Sequence, residues 1–156
     1  MKQGIFKFFF VVAKKFLKAL VSIWLEASLK EIVELLLDQG ADLNTQAGDY
    51  GTALQAAAFQ GHQEIVELFI EKGVNDNAQG DKYGTPLQAA AISYQQKIVE
   101  LLLHNGADIN SQGEEYGTAL QAVAYRGSRE VVQLLLDKGA DINAQGDDFT
   151  PERSHH

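Results

Sequence analysis

The chain contains no cysteine, only two prolines, one methionine and one tryptophan. Because cysteine is absent, disulfide scaffolds, cysteine-rich zinc sites and thiol nucleophiles are excluded. No run of 18 apolar residues occurs, so the sequence predicts no membrane-spanning helix. It also lacks a calcium-loop pattern, an HExxH motif and a glycine-rich phosphate loop after a strand. The acidic side chains are spread over the chain instead of being paired for acid–base chemistry. We therefore predict no catalytic residue, no metal site and no cofactor.

The 156 residues are 46% hydrophobic and 22% charged, which is typical of one folded globular domain. Charge is distributed unevenly along the chain. Residues 1–25 carry five lysines and no acid, whereas residues 50–148 carry six bases and fourteen acids, a net charge of −8. This excess of acid disfavours nucleic-acid binding, because phosphate contacts need clustered lysine and arginine side chains.

A repeat of 33 residues organises most of the chain. Residues 50–82, 83–115 and 116–148 align without a gap and begin YGTALQAAA, YGTPLQAAA and YGTALQAVA. Residues 17–49 fit the pattern in their second half only. A period of this length is typical of stacked arrays, in which neighbouring units bury each other's apolar faces. We refer to these four segments, in chain order, as units 1 to 4.

Each complete unit predicts two short helices followed by a turn or β-hairpin. A threonine precedes an alanine-rich run and a glutamine follows it three residues later, the pattern of a capping box. The three pairs are Thr52 and Gln55, Thr85 and Gln88, and Thr118 and Gln121. The first helix should span about nine residues and end at Gln60, Ser93 or Arg126. The second helix is apolar at helical spacing, as in IVELLL, and a polar segment containing glycine joins it to the next unit.

These motifs resemble the ankyrin repeat. GTPLQAAA is similar to the TPLHxAA element of that family, GHQEIVEL to its GHxEIVxLL element, and GADIN to its GADVN element. The resemblance covers residues 17–148, and the YGTALQAAA and NAQG segments also resemble ankyrin arrays of filamentous-fungal signalling proteins. It implies an all-α solenoid of helix–turn–helix units with short hairpin or turn connections, and a non-catalytic role in binding another protein.

Three departures from the family pattern are present. Glutamine replaces the histidine of TPLH in every complete unit, and Tyr94 stands where Gly61 and Gly127 stand in the neighbouring units. Asp76 occupies a position that is leucine or isoleucine in the other units. Because burying an unpaired carboxylate is costly, we expect the backbone at residues 73–77 to shift outward.

The two ends of the chain leave alternatives open. Residues 1–16 are basic, apolar and amphipathic, which predicts a helix that caps the array. The alternative is that residues 1–25 form a membrane-surface or partner-binding helix, so that the protein would be membrane-associated instead of simply cytoplasmic. Residues 150–156 form a tail whose RSHH segment resembles the start of a histidine tag, as expected if the chain were a truncated or engineered piece of a longer array. Pairing of two chains through uncapped array ends is a further alternative.

Repeated positions lie side by side in a solenoid, so each aligned column becomes a stripe on the surface. The family resemblance places the connecting tips and the first-helix surface in a concave binding groove. The candidate partner-binding residues are the aromatic, apolar, acidic and arginine side chains of those columns: Tyr50, Phe59, Asp81, Tyr83, Ile92, Glu114, Glu115, Tyr116, Tyr125, Arg126 and Asp147. Their acidic members predict a partner protein with a basic surface.

Two interpretations of the apolar candidates are open. The tyrosine column either contacts a partner or packs between adjacent connections. Phe59, Ile92 and Tyr125 are expected to be contact residues, because large side chains at this position are hard to bury between alanine-rich helices.

Overall fold

A computed structural model of the chain describes residues 28–46, 48–80 and 82–145. The predicted N-terminal segment (residues 1–16, or 1–25 in the membrane alternative) and the tail (residues 150–156) lie outside the described residues. The candidate site residues Asp81 and Asp147 also lie outside them.

Seven α-helices and one short 3-10 helix occupy the described part of the chain. They are α1 (Ser28–Asp38), the 3-10 helix (Gly48–Tyr50), α2 (Ala53–Gln60), α3 (Gln63–Glu71), α4 (Pro86–Ile92), α5 (Gln96–His104), α6 (Ala119–Arg126) and α7 (Arg129–Asp137). Within these residues the connections between units are turns that carry isolated antiparallel bridges, Gly80 to Gly84 and Gly113 to Gly117, instead of paired strands.

The predicted capping boxes are confirmed in all three complete units. In unit 3 the Gln88 backbone N–H donates to Thr85 Oγ1 at 3.3 Å, and the Thr85 backbone N–H donates to Gln88 Oε1 at 2.6 Å. Helices α2 and α6 end where predicted, but α4 ends at Ile92, one residue early. The first helices are therefore seven or eight residues long, too short to persist without tertiary packing.

Packing between units supplies that support. The first helices form one row, in which α2 packs against α4 and α4 against α6, while α1, α3, α5 and α7 form a second row. Alanine side chains at the centre of the first row, such as Ala57 and Ala90, are fully buried. Their small size lets the helices approach closely, so Leu54, Leu87 and the apolar faces of the second helices enclose one continuous core.

Asparagine side chains tie successive turns together. The Oδ1 atom of an asparagine in one unit accepts a hydrogen bond from a backbone N–H of the next unit. The pairs are Asn44 with Asn75 at 3.2 Å, Asn77 with Asp108 at 2.8 Å, and Asn110 with Asp141 at 2.8 Å. These bonds fix the spacing of the connecting turns along the array.

The expected outward shift of residues 73–77 is wrong. The Val74 backbone N–H donates to the Phe69 carbonyl oxygen at 3.1 Å, and the equivalent bond is present in the other three units. Asp76 is half-buried, and its carboxylate accepts a hydrogen bond from Asn77 Nδ2 at 3.1 Å. The charge reaches both a donor and solvent from the regular backbone position, so no displacement is needed.

Candidate protein-binding face

Three of the predicted candidates, Tyr50, Phe59 and Tyr83, form an aromatic cluster across units 2 and 3. The Tyr50 and Tyr83 rings stack with centroids 5.3 Å apart and an interplanar angle of 22°. The Phe59 ring lies 4.4 Å from Tyr83 and 5.5 Å from Tyr50, between centroids. All three side chains are half-buried. They pack against one another between units, as the packing interpretation requires, and their remaining surface is open to solvent.

The structure places Ile92 differently from the prediction. Ile92 occupies in unit 3 the position that Phe59 and Tyr125 occupy in units 2 and 4, yet its side chain is only 2% exposed. The expectation that a large side chain cannot be buried between these helices is therefore wrong at this position. Ile92 stabilises the stack and presents no surface to a partner.

The opposite end of the face carries an exposed tyrosine–arginine patch, formed by Tyr94, Tyr125 and Arg126. Tyr125 is 63% exposed and Tyr94 is 46% exposed. The Arg126 guanidinium carbon lies 5.7 Å from the Tyr94 ring centroid, and Tyr94 Oη donates a hydrogen bond to the Arg126 carbonyl oxygen at 2.8 Å. The helix–turn of unit 3 and the end of α6 in unit 4 thus meet at this patch.

Tyr94 was not among the predicted site residues. Its place in the repeat could have identified it as a candidate, because Gly61 and Gly127 hold that position in the neighbouring units. Tyr94 adopts φ 62°, in the same left-handed region as Gly61 at 82° and Gly127 at 83°. A bulky side chain in this conformation is unusual, and it costs on the order of 1–2 kcal/mol.

A lysine interrupts the predicted acidic row at the connecting tips. Lys82 Nζ lies 5.3 Å from the centroid of the Tyr83 ring. The neighbouring Tyr83 phenol is the main influence that raises the pKa of Lys82, and the carboxylates of Glu115 and Asp49 add to it. At this one position of the turn, successive units carry Asp49, Lys82 and Glu115, so the sign of the charge alternates along the column.

Acid predominates again where unit 3 meets unit 4. Burial is the main influence that raises the pKa of Tyr116 to about 12, and a hydrogen bond to Glu115 and the charge of that carboxylate contribute. Arg126 opposes the shift, since a positive charge favours the phenolate. Glu115, Tyr116 and Arg126 are thus within electrostatic reach of one another. Glu114 is exposed beside them, so the structure brings four predicted candidates together in this region.

The described residues contain no group of three or more histidine, aspartate or glutamate side chains placed to hold a metal ion. None of the helices just described combines the length and the apolar character that crossing a membrane requires.

The paired helices, stacked in register every 33 residues, define a helical repeat protein. A model of ankyrin repeats in three copies matches residues 23–113, and an ankyrin-repeat model matches residues 117–147. The chain belongs to the ankyrin-repeat family, as the sequence motifs predicted. No curated protein matches the sequence. Ankyrin repeats generally mediate protein–protein interaction, and proteins built from them are typically non-enzymatic.

Proposed function

We propose that this protein is a non-catalytic binding module that recognises a partner protein through one face. That face comprises the aromatic cluster, the acidic tip residues Glu114 and Glu115, and the tyrosine–arginine patch. The observation that carries the proposal is the exposure of Tyr125 and Arg126 at the end of α6. Tyrosine and arginine are the residue types that most often dominate binding free energy at protein interfaces.

Charge supports a partner with a basic surface. The array from residue 50 to residue 148 has a net charge of −8, and Glu114 is exposed at a connecting tip. Charges at the rim of an interface act mainly on the rate of encounter. Association should therefore slow as salt screens the attraction.

The hydrogen-bond network supports recognition by a rigid surface. Capping boxes fix the start of each first helix, and the asparagine ties fix the spacing of the turns. A face that is ordered before binding loses little conformational entropy when the partner arrives, so more of the contact energy appears as affinity.

The test begins with a pull-down by the full chain, followed by mass spectrometry to identify the partner. Surface plasmon resonance then compares the chain with the Tyr125→Ala/Arg126→Ala double variant. We expect affinity to fall by about tenfold or more, the effect of truncating residues that dominate an interface. A Gln133→Ala variant, altered at an exposed position on α7, serves as control and should bind normally.

The electrostatic part of the proposal has its own variant. Glu114→Lys/Glu115→Lys should slow association more than it speeds dissociation. Glu100→Lys/Asp137→Lys makes the same change in net charge at exposed positions on the second helices and should slow association less. Association rates that do not depend on salt would overturn the electrostatic part. Unchanged affinity of the Tyr125→Ala/Arg126→Ala variant would overturn the proposed face.

A further inference from the structure

We infer that the tyrosine–arginine patch, together with Arg129, is a subsite for a carboxylate-bearing peptide segment of the partner. The inference rests on the proposed binding function and makes the partner's chemistry more specific. The connecting tips attract basic groups, whereas this end of the face takes an aspartate or glutamate flanked by an apolar side chain.

The backbone of Tyr94 is the first observation. Its φ of 62° is a conformation that glycine adopts without penalty, and glycine holds this position in units 2 and 4. Within the chain, the side chain gains an exposed hydrogen bond to the Arg126 carbonyl oxygen and a ring contact with its guanidinium. Exposed contacts of this kind contribute little to stability. Residues held against local preference concentrate at functional sites.

The position of the Arg126 guanidinium is the second observation. The side chain is exposed, and its guanidinium carbon lies 5.7 Å from the centroid of the Tyr94 ring. At this distance the guanidinium is attracted to the face of the ring, and its exposed N–H groups can donate hydrogen bonds to a ligand. That arrangement suits the bidentate hydrogen bonds that arginine makes to carboxylates.

Arg129 is the third observation, and it also departs from local preference. It is the exposed first residue of α7, where the helix dipole favours an acid over a base. Arg126 and Arg129 lie three residues apart in the sequence, on either side of the turn from α6 to α7, and Glu130 follows Arg129 in the first turn of α7. Their charge complements a carboxylate, and the exposed rings of Tyr94 and Tyr125 offer apolar surface to its neighbour.

The test uses peptides, so that it does not depend on identifying the natural partner. A random peptide library displayed on phage is panned against the full chain. Selected sequences are synthesised with a fluorescent label, and their affinities are measured by fluorescence anisotropy. Each acidic peptide is paired with a version in which aspartate or glutamate is replaced by asparagine or glutamine.

We expect the selected set to include acidic peptides with an adjacent apolar residue. Their affinity should fall about tenfold or more when the carboxylate becomes an amide, and when the protein carries Arg126→Gln. Arg126→Lys should also weaken binding, because it keeps the charge but loses the planar fork. Tyr94→Gly should weaken binding while circular dichroism shows a folded protein. Lys138→Gln, which removes an exposed positive charge elsewhere, should leave affinity unchanged.

The outcomes separate this subsite from the proposed function. Acidic peptides that bind Arg126→Gln and Tyr94→Gly as tightly as the original chain would overturn the subsite. Selection of basic peptides alone would also overturn it, and would leave the proposed function standing if those peptides lose affinity for Glu114→Lys/Glu115→Lys. Failure to select any peptide would count against both.

Discussion

Gln88 in unit 3 donates a hydrogen bond from its side-chain amide to the backbone carbonyl oxygen of Gly117 in unit 4. The same amide group donates to the Ser111 carbonyl oxygen at 3.2 Å, while Oε1 of the side chain closes the capping box with Thr85. Gln55 makes the equivalent set of bonds one unit earlier. One buried side chain thus starts a helix and joins two units.

Replacing Gln88 with alanine should therefore be strongly destabilising. Gln88 is 1% exposed, so its removal leaves the buried Thr85 backbone N–H without its acceptor and takes one of two donors from the Gly117 carbonyl oxygen, which keeps the Gly113 N–H. Each unsatisfied buried group costs about 1–3 kcal/mol, and we expect a total loss of roughly 2–4 kcal/mol in the free energy of unfolding. Urea unfolding followed by circular dichroism measures this loss.

Gln121→Ala is the matched control for that substitution. Gln121 occupies the equivalent position in unit 4, but it is exposed, so water can replace its bonds. We expect a loss of only about 1 kcal/mol in the free energy of unfolding, because the net contribution of hydrogen bonds that water can replace is small. Equal losses at the two positions would show that the link to the next unit contributes nothing.

Tyr94→Gly should raise the free energy of unfolding by about 0.5–1 kcal/mol, because it relieves an unfavourable left-handed backbone. Gly127→Ala is the reverse experiment. No atom lies within 4 Å of the Cβ that alanine would add, and φ of Gly127 is 83°. The expected loss of about 1 kcal/mol in the free energy of unfolding therefore measures the cost of the left-handed backbone alone. Destabilisation by Tyr94→Gly would mean that the contacts with Arg126 outweigh the strain. Thermal unfolding of both variants decides between these outcomes.

The local features of the fold were predictable because they depend on residues close in the sequence. The capping boxes follow from threonine and glutamine three residues apart, and the stack follows from the 33-residue period.

Burial of Ile92 was not predictable in the same way. Phe59, Ile92 and Tyr125 occupy one column yet differ in exposure, since burial depends on neighbours from other units. The contact of Tyr94 with Arg126 joins residues 32 positions apart. The only indication of it in the sequence is that Tyr94 stands where units 2 and 4 have glycine.

The pKa of Tyr116 predicts a change of stability at high pH. Its folded value of about 12 lies above the ordinary value of 10.0, so the folded state favours the protonated phenol. This contribution is fully present below pH 10 and is lost as the pH rises towards 12. Absorbance of the phenolate during an alkaline titration should show one late transition, which Tyr116→Phe removes. If Tyr116→Phe instead removes absorbance from the main transition near pH 10, Tyr116 does not have the raised pKa.

The regular backbone around Asp76 predicts a small effect of restoring the family motif there. The equivalent side chain is buried at Leu43, half-buried at Ile109 and exposed at Ile142. Without strain to relieve, Asn75→Asp/Asp76→Ile should change the free energy of unfolding by less than about 0.5 kcal/mol. Stabilisation by 1 kcal/mol or more in chemical denaturation would show that the carboxylate is costly at this position.

The asparagine ties have a mechanical consequence. Each one joins a unit only to its immediate neighbour, as the helix packing and the glutamine links also do, so tension applied between the two ends of the array would load every junction between units. The least stable junction between units would break first, and the others would follow one at a time. Under an atomic-force microscope the array should lengthen in steps of about 110 Å, the extended length of 33 residues, and it should recoil unit by unit when the force is released.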